Sequence, residues 1–454
     1  MNNFEPYLPI LKNALRKLDT WRDSYGSLSE TGSSAGQLDK IREIADQLAS
    51  RLEGNYPFHH PSYAGQMLKP PHPIAWLSYA LAMTINPNNH ALDGGPPTSE
   101  MEKEVIQKMT SMVGYDSNSL GHLTSGGTIA NLEALFIARE IHPGKAIAAS
   151  ENAHYTHQRM CRVLNCEFIK IPVNHRGIPD LDFVKKNSTK IGTLVVTMGT
   201  TGLGIVEPLE EILKVAEEND IRVHADAAYG GFFKLISDEL SSNIHWQHLF
   251  ECESIVIDPH KHGLQPYGCG SVLYKDAAVG KYFKHDSPYT YFTSDDLHLG
   301  EISLECSRAG ASAAAFWATL ELMPLTKSGL GSILSSTIRA TEKFSSRIKE
   351  LGGWELNQEP DLDIAAYFKV PGEKSISNLN SINQEVFDKG MELDRKGYHL
   401  SLFKIPSGTF SKKFPEYKVD ADYATLLRSV FMKEEHEEFL DELIERLVKC
   451  NPAR

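Results

Sequence analysis

Three short segments combine residue types that could do chemistry on a small anionic ligand. Residues 124–128 read TSGGT ahead of a helical pattern, where backbone N–H groups and the helix dipole favour an anion. Asp226 ends an apolar run and precedes two alanines, and Lys261 follows the apolar run SIVI and the loop DPH. A buried lysine can form a Schiff base with a carbonyl. Taken singly, each segment has an ordinary alternative: a Gly-rich turn, a helix cap or structural ion pair, and a surface lysine.

Taken together, the three segments match the three handles of pyridoxal phosphate: its phosphate, its ring nitrogen and its aldehyde. They follow successive apolar runs, and ligands of open α/β sheets bind at the carboxyl ends of the strands. The glycine loop is not a Walker A motif, because no lysine follows its second glycine at the required spacing. The sequence therefore indicates a cofactor site at one edge of a sheet.

The apolar runs alternate with helical patterns from about residue 120, which is typical of a mostly parallel sheet layered with helices. The predicted strands are 145–149, 168–173, 193–198, 221–225, 254–257 and 269–273. Upstream, Ser99 followed by Glu102 predicts a helix that begins with a capping box. Beyond about residue 310 longer helices dominate, and the last one is predicted over 434–448.

Composition restricts the partners and the compartment. Of the 454 residues, 46 are Lys or Arg and 59 are Asp or Glu, a net charge of −13 that disfavours nucleic acid and anionic membranes. The longest apolar window, 73–85, is shorter than the roughly 20 residues of a membrane helix, and no signal peptide is evident. The six cysteines form no C-x-x-C pair, so we expect no metal site and a reducing, cytoplasmic location.

Seven segments resemble the group II family of pyridoxal-phosphate-dependent amino-acid decarboxylases. They are HPSYAGQ (60–66), TSGGT (124–128), NAHYTHQR (152–159), MGTTGLG (198–204), VHADAAYGG (223–231), DPHKHG (258–263) and SPYTYF (287–292). The resemblance implies an α/β fold of type I, like that of aspartate aminotransferase. It divides the chain into an N-terminal helical segment at the dimer interface (1–75), a large cofactor-binding domain with a mostly parallel sheet (76–320) and a smaller C-terminal α+β domain (321–454).

The resemblance also implies the cofactor contacts. Lys261 is expected to form the Schiff base with the aldehyde, Asp226 to pair with the ring nitrogen, and His154 to stack on the ring. The alternative for His154, a zinc ligand together with His157, lacks an evident third ligand. The other expected cofactor contacts are Ser125, Gly126, Gly127, Thr128 and His260 at the phosphate, and Thr200 and Ala228 beside the ring.

The expected reaction is decarboxylation of an L-amino acid to the amine and CO2. Tyr289 in SPYTYF falls where the family has a mobile loop whose tyrosine protonates the substrate's α-carbon, and Tyr291 is the competing candidate. Because both positions are tyrosine, simple decarboxylation is favoured over aldehyde formation. A lyase or desulfinase on the same fold, and a catalytically silent binding protein, are the alternatives.

The substrate is expected to be an acidic or small polar amino acid, with an aromatic one as the alternative. Tyr63 and Gln66 lie in HPSYAGQ, a family substrate-pocket loop, and Arg428 matches a position where animal glutamate decarboxylases bind the side-chain carboxylate. Arg428 could equally be structural. Arg308 is a further candidate for the α-carboxylate or the cofactor phosphate. The family also implies a homodimer with shared active sites.

Overall fold

The computed structural model describes residues 4–26, 34–283, 303–393 and 396–450. Its α-helices are α1 (Leu8–Asp23), α2 (Ala35–Leu52), α3 (Pro73–Met83), α4 (Pro96–Val113), α5 (Gly127–Ile141), α6 (Thr156–Val163), α7 (Leu181–Asn187), α8 (Leu209–Glu218), α9 (Asn243–Gln247), α10 (Gly310–Leu322), α11 (Leu330–Glu350), α12 (Ile376–Glu392), α13 (Ser407–Lys413) and α14 (His436–Lys449). Its strands are β1 (Leu120–Thr124), β2 (Ala146–Ser150), β3 (Phe168–Ile171), β4 (Ile191–Thr197), β5 (Arg222–Asp226), β6 (Ser254–Ile257), β7 (Gly270–Tyr274), β8 (Trp354–Leu356), β9 (Ile364–Lys369), β10 (Ser401–Pro406) and β11 (Tyr423–Val430).

The larger sheet has seven strands in the order β1-β7-β6-β5-β4-β2-β3. Strands β3, β2, β4, β5 and β6 run parallel, and β7 lies antiparallel between β6 and β1. Every residue of β4, β5 and β6 is buried, as expected for a sheet covered on both faces. The α/β fold and all six predicted strands are confirmed, with ends within two residues of the prediction.

A smaller antiparallel sheet follows in the order β10-β11-β9-β8. Its core is aromatic: Phe344 of α11 lies 4.9 Å from Tyr367 of β9 and 4.7 Å from Phe431, measured between ring centroids. Helix α14 packs on α11 and closes this core with Leu440, Leu443 and Leu447. The C-terminal part is therefore α+β, whereas the exact domain boundaries at 75 and 320 stay predictions.

Helix α4 does not begin with the predicted capping box. It begins at Pro96, where the fixed φ and missing N–H of proline suit the first turn, so Ser99 lies inside the helix. The Glu102 carboxylate turns into the core instead and accepts hydrogen bonds from Arg308 Nη1 at 2.6 Å and from the Leu123 N–H at 2.9 Å. Glu102 thus joins α4 to β1 and to the segment before α10.

Helices α1 and α2 contain no buried residue. Along α2, five apolar side chains recur at helical spacing and are each about half exposed: Leu38, Ile41, Ile44, Leu48 and Leu52. We call this set the α2 stripe. In the described ranges, no helix has the length and apolar character needed to cross a membrane.

The buried Arg308–Glu102 pair predicts a large stability effect. Replacing Arg308 with Leu is expected to lower the free energy of unfolding by about 3 kcal/mol, because Glu102 would keep a buried charge without its partner. Urea unfolding at matched protein concentration measures the change. The control is Lys327→Leu, which breaks an exposed ion pair with Asp238 and is expected to leave stability unchanged. Equal stability of wild type and Arg308→Leu would contradict the prediction.

Candidate functional site

The ends of β1, β5 and β6 bring the three predicted segments to one cavity of about 340 Å³. Strand β1 delivers the glycine loop, β5 delivers Asp226 and β6 delivers the loop that carries Lys261. The cavity is lined by nine of the ten predicted cofactor contacts: Ser125, Gly126, Gly127, Thr128, His154, Asp226, Ala228, His260 and Lys261. The sheet therefore assembles the group of side chains that the sequence indicated.

The glycine loop needs its glycines for backbone shape and for space. Gly126 has φ 150°, a conformation that favours glycine, and a Cβ on Gly127 would lie 2.6 Å from Asp258 Oδ2. Helix α5 begins at Gly127, so the N–H groups of its first turn have no partner within the helix. The Ser125 N–H donates to a carboxylate oxygen of Glu305 at 2.8 Å. This loop therefore already binds one anionic group through its backbone.

Asp226 is held ionised in a buried setting. Burial would raise the pKa of its carboxyl, but the hydrogen bond from His157 and the positive charges of His157 and Lys261 hold that pKa well below its usual range. His157 Nε2 lies 2.8 Å from Asp226 Oδ2, and both side chains are buried. The other Asp226 oxygen accepts the Ala228 N–H at 3.2 Å. The cavity thus contains a fixed carboxylate that can pair with a protonated ring nitrogen.

Lys261 Nζ lies 3.2 Å from Asp258 Oδ2, and His260 Nε2 lies 3.5 Å from the same oxygen. Burial lowers the pKa of the His260 imidazole, and its ring packs at 4.8 Å from that of Tyr267. Within the described part of the chain, the buried Asp258 Oδ1 has no hydrogen-bond partner. The amine therefore lies at the cavity wall beside a carboxylate that can hold it in position.

His154 stands between this cavity and a second one of about 640 Å³. Its Nδ1 lies 2.7 Å from Thr156 Oγ1, which fixes the ring, and burial lowers the pKa of the imidazole. Thr200, the tenth predicted cofactor contact, lines the second cavity, and its hydroxyl accepts the Ile205 N–H at 3.0 Å. Thr201 lines both cavities, so the two spaces adjoin at His154 and Thr201.

The second cavity contains two of the four predicted substrate contacts, Gln66 and Arg428. The buried Arg428 guanidinium donates to the carbonyls of Gly202 at 3.1 Å, Gly65 at 3.1 Å and Thr201 at 2.7 Å. It also donates to Ser401 Oγ at 3.3 Å. Four of its five N–H groups are therefore engaged within the protein.

The other two predicted substrate contacts line neither cavity. Arg308 is buried against Glu102 and the carbonyls of Leu123 and Asn89, at 2.6 to 2.7 Å. Tyr63 is buried under Lys433, whose Nζ lies 5.3 Å from the ring centroid and donates to the Tyr63 carbonyl at 2.6 Å. Both side chains hold neighbouring elements in place. Tyr289 and Tyr291, the two candidate proton donors, lie outside the described residues.

Three residues at the site were not predicted for these positions. The sequence suggested His157 only as an alternative zinc ligand, yet its Nε2 is hydrogen-bonded to Asp226. Asp258, which the sequence did not single out, forms an ion pair with Lys261. Glu207 lies behind the site, accepting from the Ser150 hydroxyl and from the Thr197 N–H at 2.8 Å. Burial raises the pKa of the Glu207 carboxyl to about 7. Spacing alone could have suggested His157 and Asp258, because each lies three residues from His154 and Lys261 respectively.

The donor set fits pyridoxal phosphate. The glycine loop offers backbone N–H groups and space that a Cβ would fill, which suits a phosphate. Asp226 is an ionised acceptor that suits a protonated pyridine nitrogen, and Lys261 supplies a primary amine for an aldehyde. All three kinds of group line the same cavity.

Comparison with known proteins agrees with this chemistry. Residues 35–369 match the family model described as the pyridoxal-dependent decarboxylase conserved domain. L-tyrosine decarboxylase of Enterococcus faecium is 26% identical, over 86% of this chain and 84% of that protein. L-2,4-diaminobutyrate decarboxylase of Acinetobacter baumannii is 27% identical, over 73% and 71%. A probable L-tyrosine/L-aspartate decarboxylase of Methanococcus maripaludis is 28% identical, over 72% and 85%.

Solved structures share the fold. Mouse CSAD in its apo form has a TM-score of 0.77 at 20% identity, over 96% of this chain and 92% of that chain. The glutamate decarboxylase domain of a Vibrio parahaemolyticus transaminase–diaminobutyrate decarboxylase has a TM-score of 0.73 at 19% identity, over 98% and 95%. The resemblance found in the motifs is thereby confirmed. The chain belongs to the pyridoxal-dependent decarboxylase family and is a pyridoxal-phosphate-dependent carboxy-lyase acting on an amino acid.

Proposed function

We propose that this chain decarboxylates an acidic or small polar L-amino acid to the corresponding amine and CO2. The observation that carries the proposal is the cavity in which Lys261, Asp226 and the glycine loop meet, with the Gln66–Arg428 cavity adjoining it. One space fits the cofactor and the other is open to a substrate side chain. Relatives named as tyrosine, tyrosine/aspartate and diaminobutyrate decarboxylases support the reaction class and are compatible with several kinds of substrate side chain.

In this proposal the protein holds pyridoxal phosphate at three points. Ser125, Gly126, Gly127, Thr128 and His260 hold the phosphate, and Lys261 holds the aldehyde carbon. Asp226 pairs with the ring nitrogen, while His154, Thr200 and Ala228 flank the ring. Except for Thr200, these side chains and backbone groups line the same cavity, and Thr200 lies in the next one beside His154.

The proposed work of the protein is to control protons and orientation. Bound pyridoxal phosphate supplies a sink for the electron pair released when the bond from Cα to the carboxylate breaks. Asp226, kept anionic by His157, holds a proton on the ring nitrogen. Asp258 forms an ion pair with Lys261 and is proposed to position its amine to release the product. Tyr289 is proposed to return a proton to Cα, with Tyr291 as the alternative.

The substrate contacts differ in how directly they act. Gln66 and Arg428 line the second cavity and are proposed to contact or shape the substrate side chain. Tyr63 and Arg308, which line neither cavity among the described residues, are proposed to act through the elements that they hold. A tyrosine-sized side chain is the main alternative, because the second cavity has a volume of about 640 Å³.

We also propose a homodimer with the α2 stripe in its interface. The stripe exposes five large apolar side chains on one helix face, and burying them against a second copy removes that surface from water. All six cysteines are free, which is compatible with the proposed cytoplasmic location.

The Lys261→Ala variant tests the reaction. Wild-type protein with pyridoxal phosphate is expected to absorb visible light and to release CO2 from one class of amino acid. Lys261→Ala should lose that visible band and at least about a thousandfold in rate, because Lys261 is the one lysine that lines this cavity in the part of the chain that the structure describes. A screen of the twenty amino acids, diaminobutyrate and cysteine sulfinate, with product analysis, measures both.

The outcomes of that screen separate the candidate functions. CO2 with an amine supports the proposal, whereas aldehyde with ammonia, or release of sulfite, moves the chain to an aldehyde-forming or desulfinase reaction. The matched control is Lys275→Ala, an exposed lysine at the other end of the sheet, which should keep the band and the rate. A wild-type protein that stays colourless after reconstitution would overturn the assigned site.

Asp226→Asn tests the proton held on the ring nitrogen. We expect kcat to fall by about a hundredfold or more while the cofactor stays attached, because the amide cannot stabilise a positive ring. Visible absorbance as a function of pH reports the attachment and the changed titration, and CO2 release gives kcat. Asp238→Asn, at an exposed ion pair, is the control. A kcat within about threefold of wild type would rule out this role for Asp226.

Two glutamates in the α2 stripe test the dimer. Ile41→Glu with Leu48→Glu is expected to shift the protein from dimer to monomer, because each change buries a charge in an apolar interface. Size-exclusion chromatography with light scattering measures the mass. Gln47→Glu with Ser50→Glu adds the same charge to the same helix away from the stripe and should leave the dimer intact. A dimer that survives both pairs of changes would place the interface elsewhere.

A further inference from the structure

The outer part of the second cavity is basic. Besides His154 and Arg428, four basic side chains line this cavity, namely Lys170, His175, Lys404 and Lys413, and Glu151 is the acidic residue among its lining. We call these four residues the basic mouth. They line the same cavity as His154, in a chain whose net charge is −13. The lining of this cavity therefore has a local excess of basic residues, whereas the chain as a whole is acidic.

The three lysines of the basic mouth have charge available for a ligand. In the residues that the structure describes, no carboxylate lies within 4 Å of the amines of Lys170, Lys404 or Lys413. Lys170 and Lys404 are exposed, whereas Lys413 is partly buried. Burial and the nearby charge of Arg176 lower the pKa of Lys413 to about 8, although Glu355 and Glu359 act in the opposite direction. A nearby anion would therefore stabilise the protonated amine of Lys413.

Arg428, the predicted carboxylate-binding residue, is poorly placed to attract an anionic substrate itself. Its guanidinium is committed to three backbone carbonyls and to Ser401 Oγ, so a two-point grip on a substrate carboxylate would break existing hydrogen bonds. Arg428 ties the loop with Thr201 and Gly202 to the loop with Gly65. Among the described residues that line this cavity, the lysines of the basic mouth are the ones whose amines have no carboxylate partner.

We infer that the basic mouth draws anionic amino acids toward the cofactor site and so gives this chain its preference for dicarboxylic substrates. The inference rests on the proposed function and adds the residues that set the substrate class. The attraction acts at a distance, because clefts with low-dielectric walls concentrate the field of the charges that line them. It speeds the encounter and should therefore change kcat/KM while leaving kcat unchanged.

The test compares substrates and salt on the holoenzyme. For wild type, kcat/KM for L-aspartate and L-glutamate should fall about tenfold as NaCl is raised from low concentration, because the Debye length shrinks from about 30 Å to a few ångströms. The value for L-tyrosine, which carries no net charge, should stay within about twofold. The kcat of every substrate should be unaffected by salt in this range.

Charge reversal then identifies the residues. Lys170→Glu with Lys404→Glu should lower kcat/KM for the dicarboxylic substrates about tenfold at low salt and should flatten or invert the salt dependence. The cofactor absorbance should be unchanged, which shows that the site is intact. The control is Lys275→Glu, which changes the same charge at the opposite end of the sheet and should behave as wild type.

A binding measurement separates failure of this inference from failure of the proposed function. Succinate, a dicarboxylate that cannot be decarboxylated by this route, should perturb the visible band of the wild type and bind about tenfold more weakly to the double variant. If CO2 is released but the double variant keeps the wild-type salt dependence and succinate affinity, the inference is overturned while the function stands. If no amino acid is decarboxylated, the proposed function is overturned. If the double variant then also binds succinate as tightly as the wild type does, the inference about the basic mouth is overturned as well.

Discussion

The alignment of three strand ends is the constraint on which the site depends. Asp226 is the last residue of β5, and its register against Thr197 of β4 and Val256 of β6 fixes which way the carboxylate faces. A slip of one residue would turn it to the other face of the sheet. Strand β7 runs antiparallel between β6 and β1, which lets β1 keep the direction of β6 and bring the glycine loop to the same edge. One sheet thereby positions the anion loop, the carboxylate and the lysine together.

Three buried carboxylates around this edge each have a fixed partner. Asp226 has His157, Glu102 has Arg308, and Asp363 accepts from the Tyr229 hydroxyl at 2.5 Å with His262 Nε2 at 3.2 Å. A buried charge without such a partner would cost several kcal/mol. Tyr229 follows the Asp226 loop directly and Asp363 precedes β9, so this bond ties the smaller sheet to the wall of the cofactor cavity. The geometry of the site and the docking of the C-terminal part are therefore linked.

The sequence was most informative where one local rule decides the outcome. Continuous apolar runs gave all six predicted strands, and the glycines, Asp226 and Lys261 followed from what loops at strand ends can do. The sequence was misleading where contacts between distant parts of the chain decide what a residue does. Glu102 looked like a capping residue, but its carboxylate is taken by Arg308, some two hundred positions away, and the prolines set the helix start. Arg308 and Tyr63 were expected to contact the substrate, and only the packing of the folded chain shows that they line neither cavity.

Arg428 shows why the reaction is easier to infer than the substrate. The groups that fit the cofactor line the first cavity, and they come from three short segments of the sequence at the ends of β1, β5 and β6. The proposed substrate contacts lie in the second cavity, which is assembled from β3, the loop after β4, β10 and β11. Arg428 joins two loops there, since its guanidinium donates to the carbonyls of Gly65, Thr201 and Gly202. Because these bonds engage Arg428 with the backbone, the proposal for the substrate class rests on the charge of the other side chains that line the second cavity.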